Sequence, residues 1–198
     1  MQTNCKQVAV GCSYTSAVGV EPEQAYPELM GYANWAKPGT DIEYSLWCAH
    51  RAVDQGATHI LFQITSWDRI TLNTSNTHNF AQNRPWTDKN DFDHYTIADY
   101  VQDSNHIKWI YEHHVMSNWR TENLAQRIVE LRAYAHSHAC AIEFYDWLPR
   151  YTIPIHPSLE PLLPSASVLD WLGEGYYADS YYHVNATAHQ RIAEEYFK

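Results

Sequence analysis

Short apolar runs alternate with amphipathic stretches along this chain. Val8, Ala9 and Val10 form the first run, with no polar position among them, as in a strand covered on both faces. Gly11 ends it, where glycine tolerates the angles of a sharp turn, and Ser13 follows just past the strand's carboxyl end. Further strands are expected near Tyr32–Trp35, over His59–Ile64 and over Ala139–Tyr145, ending at Asp146. Between them, Thr40-Asp41-Ile42-Glu43 matches the S/T-x-x-E capping box of a helix start. Ile42, Leu46, Ala49 and Val53 repeat at helical spacing up to Gly56, a helix-closing residue.

The same spacing predicts helices over Ser104–Met116 and Thr121–His138, a short one near Ala25–Met30, and a terminal one starting at Asn185. In the last, Ala188, Ile192 and Tyr196 share a face. Residues 70 to 100 show no clear periodicity and are rich in Asn, Thr and Asp. A segment this long is expected to cover the rim of a site, with Trp86 within it. Residues 147 to 178 carry Pro149, Pro154, Pro157, Pro161 and Pro164 and read as an extended surface loop. The alternation of strands and helices predicts an α/β fold: a three-layer α/β/α sandwich with a mainly parallel central sheet, as one domain over residues 1–198.

Charge narrows the set of partners. A formal net charge of -10 argues against nucleic acid or an anionic membrane surface. No apolar run is long enough to span a bilayer. No charged-then-apolar leader precedes the first strand, so a cytoplasmic location is expected. Cys5, Cys12, Cys48 and Cys140 show no C-x-x-C spacing and read as free thiols. His113-His114 and His136-x-His138 do not share helix faces in the way metal ligands would, and no zinc spacing occurs, so neither metal nor cofactor is expected. Neither G-x-G-x-x-G nor G-x-x-x-x-G-K occurs, which argues against a nucleotide site.

The remaining chemistry gathers at strand ends. A Ser nucleophile needs a base, an acid that orients the base, and N–H donors for the developing oxyanion. Ser13 supplies the hydroxyl. His183 lies just before the terminal helix, with Asp179 four residues earlier. Gly39 lies just before a helix N-terminus, where backbone N–H groups lack helical partners. The Thr65–Arg69 stretch ends the third strand on the same rim.

These blocks resemble those of the SGNH hydrolases, also called GDSL esterases and lipases. Gly11-Cys12-Ser13 is similar to the family's Gly-Asp-Ser block, and Asn34-x-Ala36-x-x-Gly39-Thr40 to its second block. His183, then Ala188-His189 and Arg191-Ile192-Ala193, resembles the last block and its terminal helix. The resemblance implies a flavodoxin-like SGNH fold and hydrolysis of a carboxylic ester. A short acyl group, or an acetyl group on carbohydrate, is the substrate it implies. In that reading Ser13 is the nucleophile, His183 the base and Asp179 the orienting acid, with the N–H groups of Ser13 and Gly39 as the oxyanion hole.

Three departures stand out. Cys12 replaces the family's Asp, at a position that is not catalytic there. The family's Asp-x-x-His spacing falls on Ser180, one residue after Asp179. Ser66-Trp67-Asp68-Arg69 stands where the family has Gly-x-Asn-Asp, so the Asn donor is missing. Ser66, Trp67, Arg69 and Asn73 are the candidates for substrate or oxyanion contacts in its place. The alternative to a hydrolase is a binding or structural module on the same fold.

Overall fold

The computed structural model describes residues 6–16, 18–67, 69–73, 94–97, 113, 117–150, 155–173, 175–177 and 183–198. Among the described residues four strands make the main sheet: β1 (Gln7–Val10), β2 (Ala33–Asn34), β3 (His59–Ile64) and β6 (Ala141–Asp146), in the order β2-β1-β3-β6. Every pair in it is parallel. Val8 and Val10 of β1 and Ile60, Phe62 and Ile64 of β3 enter one core, with α2 (Ile42–Asp54) and α3 (Asn118–Ser137). Ala9, Leu61 and Tyr145 face the opposite side. There they meet α1 (Tyr26–Leu29), α4 (Val168–Leu172), α5 (Ala186–Arg191) and the π-helical turn Ile192–Tyr196. Helices thus cover both faces of the sheet, which is why its central strands carry almost no exposed position. Among the described residues no helix is long and apolar enough to cross a membrane.

Several boundaries differ from the sequence expectations, each for a local reason. The cap of α2 is Asp41, whose carboxylate accepts from the Tyr44 N–H at 2.9 Å. The Thr40 hydroxyl is drawn instead to the Lys37 carbonyl at 2.7 Å. Gly11 is absent from the residues with positive φ, so sharp-turn freedom is not what a glycine provides there. The stretch without periodicity yields a hairpin, β4 (Ile70–Asn73) antiparallel to β5 (His94–Ile97). The rest of that stretch, and the helix predicted over Ser104–Met116 apart from His113, lie outside the described residues. The proline-rich stretch is not one extended loop. Pro157–Leu162 forms a 3-10 helix, α4 follows, and Leu159, Val168 and Leu169 are buried. Proline's fixed φ suits the first turn of such helices, where its missing N–H is not needed.

Candidate active site

Parallel strands send their carboxyl ends to one rim, and β1 delivers Ser13 there. Beyond Val10 the chain coils tightly. The Ser16 N–H bonds to the Cys12 carbonyl at 3.0 Å, and the Val18 N–H to the Ser13 carbonyl at 3.2 Å. The Ser16 hydroxyl also donates to the Ser13 carbonyl at 3.2 Å. Ser13 is half-buried, between Cys12 and Tyr14, which are buried.

The segment after β2 runs beside this coil. The Trp35 N–H donates to the Ala9 carbonyl at 2.8 Å and the Lys37 N–H to the Gly11 carbonyl at 3.2 Å. Asn34 Nδ2 donates to the Thr15 carbonyl at 2.7 Å, and its Oδ1 accepts from the Ala36 N–H at 3.2 Å. Gly39, two residues past Lys37, has a φ of 75°, a conformation that favours glycine. The second block of the resemblance is therefore bound to the first by main-chain bonds.

His183 arrives from the far end of the chain. Its ring lies 5.3 Å from that of Tyr14, the residue next to Ser13. Tyr14 in turn stacks on Trp147 at 5.1 Å, with 4° between the planes. After His183, Val184 bridges to Tyr177, and the Asn185 N–H bonds to the Tyr176 carbonyl at 2.9 Å. Asn185 then caps α5 by accepting from the Ala188 N–H at 3.0 Å. Asp179 and Ser180 lie outside the described residues. His189, from the same block, is only 1% exposed, and its Nδ1 accepts from the Tyr26 N–H at 3.3 Å. It holds α5 to α1 rather than facing the rim.

A pocket opens at the carboxyl ends of β1, β3 and β6, with Cys12, Tyr14, Thr65, Ser66, Arg69 and Trp147 in its wall. Thr65 Oγ1 and Trp147 Nε1 are buried and have no hydrogen-bond partner among the described residues. Unpaired polar atoms beside a pocket are what a bound water or ligand satisfies. Asp146 also reaches the pocket, but Arg150 holds its carboxylate with bonds of 2.7 and 3.3 Å. Of the contacts expected from sequence, Ser66 and Arg69 line this pocket. The Trp67 ring instead packs into the core with α2 and α3. Asn73 ends β4, in a strand whose side chains are outside the description. The turn itself is held from beneath by Arg120, which donates to the carbonyls of Trp67 at 2.8 Å and Arg69 at 2.5 Å.

Sequence reasoning passed over Gln63, Thr15, Tyr26 and Tyr145, which form a buried polar cluster under the Ser13 coil. The available signal was Gln63 itself, the one polar side chain inside the apolar run Ile60–Ile64.

No protein-family model matches the chain, and no curated protein matches it in sequence. Among solved structures it is similar to TesA, with a TM-score of 0.56 and 13% identity over 96% of this chain and 95% of that one. It is also similar to the psychrotrophic esterase EstA from Pseudoalteromonas sp., in a structure inhibited by monoethylphosphonate. That match has a TM-score of 0.55 and 13% identity, and covers 97% of this chain and 94% of EstA. The chain shares the α/β fold of these structures, with a parallel four-stranded sheet between helices among the described residues.

Proposed function

We propose that the chain is a serine hydrolase that cleaves a carboxylic ester with a short acyl or acetyl group, carbohydrate esters included. The observation that carries this reading is the seating of the His183 ring against Tyr14, next to Ser13, at the carboxyl rim of a parallel sheet. The fold likeness to an esterase supports it. In this mechanism His183 takes the Ser13 proton as the hydroxyl attacks the ester carbonyl, then returns it to the leaving alcohol. Asp179 orients the imidazole. The N–H groups of Ser13 and Gly39 stabilise the oxyanion. Water then repeats the cycle on the acyl-enzyme, with His183 again as base.

A second reading is a binding module on the same fold, and the block Ser66-Trp67-Asp68-Arg69, which has no Asn, favours it. Asp68 stands in the place of the Asn donor there, and the ring of its neighbour Trp67 is packed in the core. Loss of one oxyanion donor lowers turnover by about a hundred- to a thousandfold, so a slow hydrolase is the expected form of the first reading. A fluorophosphonate probe decides between them, because it marks a nucleophilic Ser without needing the right substrate. Covalent labelling of the wild type, and its loss in Ser13→Ala and His183→Ala, are expected. An unlabelled wild type that hydrolyses no short acyl ester supports the binding module instead.

A further inference from the structure

The polar cluster under the Ser13 coil has a direction. Gln63 is 1% exposed. Its Oε1 accepts from the Cys12 N–H at 3.1 Å and from the Thr15 hydroxyl at 2.6 Å. A main-chain N–H can only donate, so the amide oxygen, not the nitrogen, faces the Cys12 N–H. Gln63 Nε2 donates to Cys12 Sγ at 3.3 Å. With its own proton given to Gln63, Thr15 accepts from Tyr26 at 3.1 Å and contacts the Tyr145 hydroxyl at 2.8 Å. The two phenols also bond to each other. Burial raises both phenol pKa values, which keeps them protonated as donors. The protons therefore run from the tyrosines through Thr15 to one acceptor, the Gln63 amide oxygen.

Gly11 fits this arrangement by its missing side chain. A Cβ built there would fall 2.5 Å from Gln63 Oε1, 2.6 Å from Thr15 Oγ1 and 2.7 Å from Gln63 Cβ. Any larger residue would push the amide away from the coil. Glycine is used here for close approach between β1 and the Gln63 side chain.

We infer that Gln63 is a positioning residue: by fixing Cys12 and Thr15 on either side of Ser13, its amide oxygen aims the nucleophile, and Gly11 is small so that it can. The inference rests on the reading of Ser13 as the nucleophile. Misplacement of a reacting group by about 1 Å lowers rates by about a hundredfold. A purely structural role for the cluster would change stability and leave the chemical step alone.

The experiment measures p-nitrophenyl acetate hydrolysis and the rate of fluorophosphonate labelling, alongside urea denaturation, in four proteins besides the wild type. Gln63→Met, whose thioether accepts only weakly, is expected to lose about a hundredfold in kcat and in labelling rate, with KM changed less than about threefold. Gln63→Glu, which keeps an acceptor oxygen, is expected to restore both to within about tenfold. Gly11→Ala should behave like Gln63→Met. Thr15→Val keeps the volume and Gln63, and is expected to lower kcat while the chain stays folded, so it carries the test where Gln63→Met does not fold. Wild-type labelling rates in folded Gln63→Met, or in Thr15→Val if it alone folds, overturn the inference. So does loss of activity that follows loss of folded protein alone. A wild type that is not labelled at all overturns the Ser13 reading itself, a distinct outcome.

Discussion

At the scale of single residues, His189 makes a physical prediction that does not depend on catalysis. It is buried against Tyr26, with ring planes 12° apart, and burial lowers its pKa to about 4 from 6.5. Between those values the unfolded chain binds a proton that the folded chain refuses, so stability rises with pH across that window. Above 6.5 the contribution is complete. As pH falls from 6.5 to about 4 it is lost, to a total of about 3 kcal/mol at 1.36 kcal/mol per unit. Urea denaturation at steps from pH 7.5 to pH 4 should show that decline, and His189→Asn, which keeps an acceptor but does not titrate there, should flatten it. His50, also lowered by burial, adds to the slope that remains. The sequence marked His189 through a family-like block, but not its role, because a histidine's partners depend on which element packs over it. Gln63 was equally silent. One polar residue in an apolar strand signals a buried hydrogen bond, yet its partners, Cys12 and Thr15, lie about fifty positions away.

At the scale of elements, two helices end in the same motif with different residues. In α2 the Gly56 N–H bonds to Val53 and the Ala57 N–H to Ala52, with Gly56 at a φ of 83°. In α3 the Ala139 N–H bonds to His136 and the Cys140 N–H to Ala135, with Ala139 at a φ of 54°. These are the two bonds of the Schellman motif, and its left-handed position is one that a Cβ disfavours by about 1 kcal/mol. Ala139 is exposed, so nothing packs on its methyl group. Ala139→Gly should therefore raise stability by about 0.5–1 kcal/mol in chemical denaturation. The motif also explains why β6 starts at Ala141 and not at Ala139 as the apolar pattern suggested. Strands and long helices were legible because each buries a face with a regular period. The hairpin and the short helices near Pro157 and Val168 were not, since three to six residues carry too little period to read.

At the scale of the whole molecule, the sheet separates two cores, and the thiols report on both. Cys48, within α2, and Cys140 belong to one core, while Cys12 belongs to the other. All three are free and buried, and burial pushes the Cys48 thiol up to about 12 and raises that of Cys140. In a Cys5→Ser chain, an aromatic disulfide reagent should find no reactive thiol in the native state and three after urea denaturation. Partial reactivity of Cys12 alone would show that the Ser13 side of the sheet opens separately. The overall architecture was readable because alternating strands and helices admit few arrangements. The candidate site was readable only at the chain's two ends, where Ser13 and His183 sit in recognisable blocks, and not between them, where Trp67 takes a place that no local pattern predicts. The contact between Tyr14 and His183 joins those two ends. Its closure spans nearly the whole described chain, so loop entropy makes it a late event. Under the proposed mechanism, a nascent chain holding Ser13, both early helices and most of the sheet remains chemically inert on the ribosome until His183 emerges.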